Sequence, residues 1–319
     1  MKKYNDGIQD VAINRIRQNK SFLADVVVGR HDQRATDESN KLTIQKRFLT
    51  YKNNDYCFQF TIQSNSFVDQ CLSNVEIHID KIVDVVNYIS QIEIEIGGQM
   101  IERAYGETLL LFLHLIGTKV SYSNNKTIIP LKLSVFLDKL PILRHHDIRI
   151  VIRTKYCDNI VSIHADLLYI DGLSHCIGNE ERNNILNIQT QFTGNNIILE
   201  NNQEVKLNFN HPVFLLYVYG IDFLKLKKIC LLFDGDKFYN TSEANEVKYT
   251  QFEQGVVISM SDKLSDDIYN NKSVNFSRID QAILKIDSTD EQVYTIRIYA
   301  LNYQVACFSE GMFGLKFSK

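Results

Sequence analysis

The sequence has no tryptophan, three prolines and no CxxC pair among its six cysteines, and neither sign of charge dominates it. With so little proline and so many aromatics, 16 Tyr and 18 Phe, the chain is not a disordered one; strand-rich packing suits it better. The scattered cysteines (Cys57, Cys71, Cys157, Cys176, Cys230, Cys307) exclude a disulfide scaffold and a zinc ribbon and read as small buried hydrophobes. The 35 basic and 38 acidic residues leave a net charge of -3, so no global attraction to nucleic acid or to an anionic membrane is expected. Nothing approaches the ~18 apolar residues of a membrane span. The longest run, TLLLFLHLIG at 108–117, is too short. The N-terminus, MKKYNDGIQDVAINRIRQNK, starts basic but lacks the apolar centre and cleavage site of a signal peptide, so the chain is expected to stay in a reducing compartment.

The familiar catalytic signatures are also missing. There is no GxGxxG, no Walker loop, no HExxH and no GxSxG, which lowers the expectation of an enzyme.

What the sequence does have is alternation. QIEIEI at 91–96 places Ile92, Ile94 and Ile96 on one strand face and Glu93 and Glu95 on the other, the pattern of an antiparallel sheet with one wet side. VEIHID (75–80), PLKLSVF (130–136) and DIRIVIR (147–153) repeat it. So do EVKLNF, FLLYVY, KICLLF, GVVISM, QAILKI, VYTIRIYA and NYQVACF further on, separated by long polar connections. Many short strands with almost no helical period predict a sandwich or jelly roll. ETLLLFLHLI at 107–116 is the best helix, apolar all round and therefore buried or set against a partner. At 319 residues the chain is long enough for two domains. The polar stretch GNEERNN at 178–184 divides the expected regions: an arm over 1–45, a first domain over 46–178 and a second over 179–319.

Few residues suggest chemistry. His145, His146 and Asp147 open a strand, where adjacent residues point to opposite faces and do not readily converge on one ion, so a solvated or hydrogen-bonded strand entrance is expected. His78 and His164 read as polar-face residues. FDGDKF at 233–238 lacks the later acidic ligand of a calcium loop and reads as an Asp-Gly turn. Glu93 and Glu95 could be paired carboxylates of a glycosidase, yet solvated strand faces carry such pairs routinely. Asn125, Asn240, Asn271 and Asn275 begin glycosylation sequons in an Asn-rich chain.

With the strands in order, several stretches together resemble one family. GIQDVAI followed by VVVGRHDQRATDES is similar to an N-terminal Ala-Gln-Asp segment and a later Arg-His-Thr-Asn stretch. IEIEIGGQMIERAYGETLLLF resembles a strand, a Gly-Gly-Gln turn and a helix, and IIPLKLSVFLDKLPILRHHDIRIVI an Ile-Pro-Leu strand, a Leu-Pro loop and the next strand. FNHPVFLLYVY resembles an Asn-His-Pro segment; NFSRIDQAILKI and IRIYALNYQVACFSEGMFGLKFS resemble closing strands with a Gly-Met-x-Gly-Leu end. Their common order resembles the double jelly-roll major capsid proteins of nucleocytoplasmic large DNA viruses. The chain is shorter than typical members, which implies reduced tower loops.

The resemblance implies an all-β fold of two tandem antiparallel jelly rolls, each of about eight strands, with one or a few short helices. It implies a structural protein with no enzymatic activity, no cofactor and no metal. Homotrimers would form pseudo-hexagonal capsomers tiling an icosahedral virion shell assembled in the host cytoplasm. Expected partners are other copies, minor capsid or penton proteins and an internal virion membrane contacted by the arm, without sequence-specific nucleic-acid binding. Leu109, Leu110, Phe112, Leu113 and Ile116 are candidate trimer-interface residues, as is the strand Phe214 to Tyr219; both could instead fill their own cores. Other readings are a minor capsid protein, a scaffold that templates a virion membrane, and a sugar-binding attachment protein.

Overall fold

The computed structural model describes residues 8–19, 40–43, 46–52, 55–64, 70–136, 140–142, 144–156, 161–169, 184–193, 196–199, 204–239, 241, 247–265, 267–288, 294–309 and 312–317. The expected boundary stretch at 178–183 and most of the expected arm lie outside them. The chain divides into two compact units, neither contiguous: Arg15–Ile188 with Val305–Lys319, and Met1–Asn14 with Gln189–Gln304.

The first jelly roll is built from β1 (Asn40–Thr43), β2 (Lys46–Lys52), β3 (Asp55–Ile62), β4 (Gln70–Ile79), β5 (Ile89–Ile96), β6 (Gln99–Tyr105), β7 (Ser121–Ser123), β8 (Lys126–Pro130), β9 (Leu140–Pro141), β10 (Ile148–Thr154) and β11 (Val161–Tyr169). Two antiparallel sheets result, one in the order β1-β11-β4-β8-β7 with β9 beside β4, the other β2-β3-β10-β5-β6. The alternation in the sequence becomes register here. Ile148, Ile150 and Ile152 pair with Ile96, Ile94 and Ile92, and all six enter one core. Burying each stabilises by about 1.5–3 kcal/mol.

The second jelly roll has β12 (Asn184–Phe192), β13 (Ile197–Leu199), β14 (Glu204–Leu207), β15 (Pro212–Tyr219), β16 (Leu226–Phe233), β17 (Asp236–Phe238), β18 (Thr250–Phe252), β19 (Gly255–Ser259), β20 (Val274–Asn275), β21 (Ala282–Ser288), β22 (Tyr294–Ser309) and β23 (Met312–Leu315). One sheet runs β12-β22-β15-β19-β18, with β13 and β23 on β22 and β20 on β15; the other runs β14-β21-β16-β17. VYTIRIYA and NYQVACF, expected as two strands, are the single strand β22. Its last residues belong to the first unit, where Ala306 and Phe308 join the first core and β23 pairs back on them. The Asp-Gly turn is a two-residue hairpin with Asp234 at φ 53° and Gly235 at φ 89°, between β16 and β17.

Two candidate interface segments prove to be mostly interior. The apolar helix is α3 (Gly106–Leu115), following α1 (Ile8–Asn19) and the one-turn α2 (Val85–Tyr88). A Cβ at Gly106 would lie 2.5 Å from the Ile89 carbonyl oxygen, so only glycine lets α3 start this close to the strand. Leu109 and Leu113 are in the first core, Phe112 is buried, and Leu110 and Ile116 pack on the core half-buried. Leu109, Phe112 and Leu113 therefore fill their own unit, the alternative the sequence left open, and of the five candidates Leu110 and Ile116 keep surface that a second copy could cover. The strand Phe214 to Tyr219 is also internal. Val213, Leu216 and Val218 face the second core, and on the other face Phe214 stacks on Tyr303 at 4.6 Å while Tyr217 stacks on Tyr299.

Two further expectations change. PLKLSVF is not a strand beyond Pro130; it continues into a 3-10 turn at Ser134–Phe136, because the Glu102 carboxylate takes the backbone N–H groups of Ser134 and Val135 away from any ladder. The start of the arm is a docked helix, α1, whose Asp10 and Ile13 are buried while Ile8 and Val11 stay exposed. Replacing Ile13, 2% exposed, by alanine should loosen α1 without unfolding the sheets. Hydrogen exchange should then speed up across 8–19 and stay slow in β15; unchanged exchange in 8–19 would show that Ile13 does not hold the helix.

Candidate functional site

The polar side chains that converge in this protein form two clasps and one buried knot. The first clasp joins α1 to the Asn-His-Pro segment. His211 sits at φ 65° just before β15, with its backbone N–H donating to Ser277 Oγ at 2.9 Å and its carbonyl accepting from Phe276 N–H. Its ring Nδ1 lies 3.2 Å from Gln9 Oε1 and its Nε2 3.4 Å from Gln304 Nε2. Gln9 Nε2 in turn donates to Gln304 Oε1 at 3.2 Å and to the Tyr303 carbonyl at 3.3 Å. One neutral tautomer, with the proton on Nδ1, satisfies this triangle: the ring donates to Gln9 and accepts from Gln304. Beside it the buried Asp10 carboxylate accepts from Asn275 Nδ2 at 2.9 Å. The Gln-Asp pair and the Asn-His-Pro segment, about 200 residues apart, thus meet.

The second clasp joins the Gly-Gly-Gln turn, the strand entrance at His146 and the closing strand. Gly97, at φ 60°, leaves space that a Cβ would take from the His146 ring, 2.6 Å away. His146 Nδ1 accepts the Phe313 N–H at 3.1 Å, and Gln99 Oε1 accepts the Leu315 N–H at 3.3 Å. Asp147 accepts from Gly97 N–H through its carbonyl and from Ser64 N–H through its carboxylate at 2.7 Å. His146 and Asp147 are therefore hydrogen-bonded parts of a strand entrance, while His145 is exposed.

The knot went unnoticed in the sequence. Glu102 on β6 is fully buried, accepting from the backbone of Ser134 and Val135, with Ser134 Oγ 2.7 Å from its Oε2. The same hydroxyl lies 2.5 Å from Asn187 Oδ1, and Asn187 Nδ2 donates to the Ile101 carbonyl. A hydroxyl has one proton for two acceptors, so a protonated Glu102 that donates to Ser134 completes the chain to Asn187. Burial, opposed by the hydrogen bonds, raises its pKa from 4.5 to about 7. A lone Glu within a strand, alternating as polar residues do, carries no signal for this in the sequence.

The other candidates are dispersed. Glu93 is 9% exposed, so its side of the sheet is not wet as expected: Arg103 Nη2 lies 2.6 Å and Arg153 Nη2 3.4 Å from its carboxylate. His78 and His164 share an outer face, ring centroids 4.2 Å apart, bonded to Glu76 and Ser162 respectively. Partial burial and then His78 hold His164 below the usual histidine range. No group of three or more metal-ligating side chains stands together among the described residues. Asn125 is exposed in the β7–β8 turn, and Asn240 lies outside the described residues. Asn271 and Asn275 are 2% and 4% exposed, with both amides hydrogen-bonded, which corrects their reading as glycan acceptors in the folded chain.

Two jelly rolls in tandem, each with its own core, make this a double jelly-roll protein. No family model and no curated protein sequence matches the chain. Solved structures of viral capsids do. A quasi-atomic model of the PBCV-1 virus capsid matches with a TM-score of 0.64 at 16% identity, over 91% of this chain and 98% of that one. PBCV-1 VP54, fitted into a reconstruction of the virophage Sputnik, gives 0.63 at 16%, with the same coverage. The major capsid protein P2 of bacteriophage PM2 gives 0.51 at 12%, over 88% and 98% of the two chains. The chain shares the fold of these proteins.

Two measurements test the site. The folded state holds the Glu102 proton up to pH about 7, whereas the unfolded chain releases it near 4.5. This contribution to stability is full below 4.5 and declines on the order of 3 kcal/mol as pH rises to 7 and beyond. Glu102→Gln, whose amide nitrogen donates to Ser134 Oγ but cannot accept the Val135 N–H, should fall about 1–3 kcal/mol below the parent in urea at pH 4.5 and close that gap by pH 8; a gap that stays the same at both pH values would show that the buried acid is not strained. In the second clasp, His146→Ala should cost about 1–3 kcal/mol by orphaning the Phe313 N–H, and His146→Asn, which keeps an acceptor there, should recover part of that in the same titration.

Proposed function

We propose that this chain is a structural subunit of a viral capsid, assembling as a homotrimer whose six jelly rolls form a pseudo-hexagonal capsomer. The observation that carries the reading is the match with the PBCV-1 capsid chain, which extends over 91% of this chain and 98% of that one. A covalent pair of similar wedges, repeated threefold, approximates sixfold symmetry, so such trimers can tile a flat facet. An obligate contact of this kind would bury about 2,000 Å² or more. Since Leu109, Phe112 and Leu113 of α3 are interior, that contact falls chiefly to surface residues of the sheets and loops.

In this reading the protein resides in an icosahedral virion, assembled in the host cytoplasm. Its partners are further capsomers, minor capsid or penton proteins and an internal membrane, and it performs no catalysis. Light scattering of the purified chain should give about 111 kDa, three times 36.9 kDa, independent of dilution, and electron microscopy should show hexagonal particles. A monomer at every concentration would overturn the proposal.

A further inference from the structure

We infer that a cleft in the second jelly roll binds an acidic saccharide. It is walled by the 3-10 turn Phe223–Lys225, the first residues of β16, the segment leading into β18 and the residues that follow β19. Its volume is about 620 Å³, within the ~300–1,000 Å³ of small-ligand sites. The charge of its lining is opposite to that of the whole protein. The chain carries a net -3, yet the cleft presents Lys227, Lys228, Lys248 and Lys263 against one acid, Asp262.

Three of those lysines remain able to take an anion. The Lys227 side chain is 68% exposed with its carboxylate neighbour, Asp287, at 3.8 Å, and Lys228 and Lys263 are exposed as well. Exposed ion pairs this long contribute about 0–1 kcal/mol, so an incoming acid group displaces little. The same lining holds two aromatics, Phe223 and Tyr249, which meet edge to face at 5.8 Å, both half-buried on the second core. A pyranose ring offers an apolar C–H face to such rings, and its acid group is of the charge that the lysines of the same lining attract. A metal cation is repelled by this set, and a neutral sugar leaves the cations unengaged. A nucleic-acid strand wants successive stacking platforms along a charged groove, whereas one edge-to-face pair offers no such series. The ligand chemistry is therefore a short saccharide bearing sulfate or carboxylate.

Calorimetric titration of the purified full chain tests this with a heparin-derived tetrasaccharide, a tetragalacturonate, cellotetraose and an eight-residue oligo(dT). At least one acidic saccharide should bind with Kd below 1 mM, which also names the acid group, and cellotetraose should not bind. Lys227→Gln with Lys248→Gln should weaken that binding tenfold or more. Lys155→Gln with Lys206→Gln, the same charge loss at exposed positions outside the lining, should change it less than twofold. Should the first pair fail to fold, Lys228→Gln with Lys263→Gln serves in its place. No acidic saccharide binding below 1 mM, an equal loss in the Lys155 and Lys206 variant, or tighter binding of oligo(dT) would overturn the inference. The inference does not rest on the shell-building reading: light scattering of the same samples reports the trimer separately.

Discussion

The fold depends on one strand that serves two cores. Ile298 to Ala306 of β22 are buried without interruption, a state that sheets reach only when both faces are covered. Ile296, Ile298 and Ala300 fill the second jelly roll, and a few residues later Ala306 and Phe308 fill the first. A one-residue slip would turn each of these side chains to the opposite face. The register of β22 therefore has to be fixed from outside the strand, by its ladder to β15 and by groups that recognise particular positions along it.

The clasps supply that recognition. Gln9 reads the carbonyl of Tyr303 and the side chain of Gln304, while His146 and Gln99 hold β23, which pairs with Ala306 to Ser309. Single hydrogen bonds contribute about 0.5–1.5 kcal/mol each, less than the burial of Ile13 or Phe313 that accompanies them. Their value lies in direction: apolar contact tolerates a shift along the strand, and a bidentate amide does not. The fold also accepts a cost at this strand. Asn302 is fully buried, and neither its Nδ2 nor its Oδ1 has a partner among the described residues.

Much of the architecture was legible because it is periodic. Alternation at 92–96 and 148–152 identified two strands with one apolar face each, and the structure adds that their isoleucines pair. It failed at 131–136, where Leu131, Leu133 and Val135 alternate as a strand would, yet a carboxylate 32 residues upstream captures the backbone. It also split β22 in two at Leu301, between VYTIRIYA and NYQVACF, where the structure continues one strand. The all-round apolar α3 was ambiguous for a different reason: hydrophobicity states that a surface leaves water, not whether its own sheet or another copy covers it. The residues of both clasps were visible as family-like stretches. Their pairing was not, because hydrogen bonds across some 170 to 300 positions leave no period in the sequence.

The chemistry of the protein follows from where its ionisable groups end. Glu102, His146 and His211 are the groups a search for a catalytic centre would select, and each is engaged by backbone or amide partners within its own unit. A general base must present a lone pair to a substrate. In His211 the triangle takes both ring nitrogens, and in Glu102 the carboxylate faces two peptide groups and a hydroxyl with no opening to solvent. These groups hold segments of chain in place. Lys227, Lys228 and Lys263 of the second jelly roll are the opposite case, exposed around a concave wall. Buried polar groups here set the shape of the chain, each taken up by partners within its own unit.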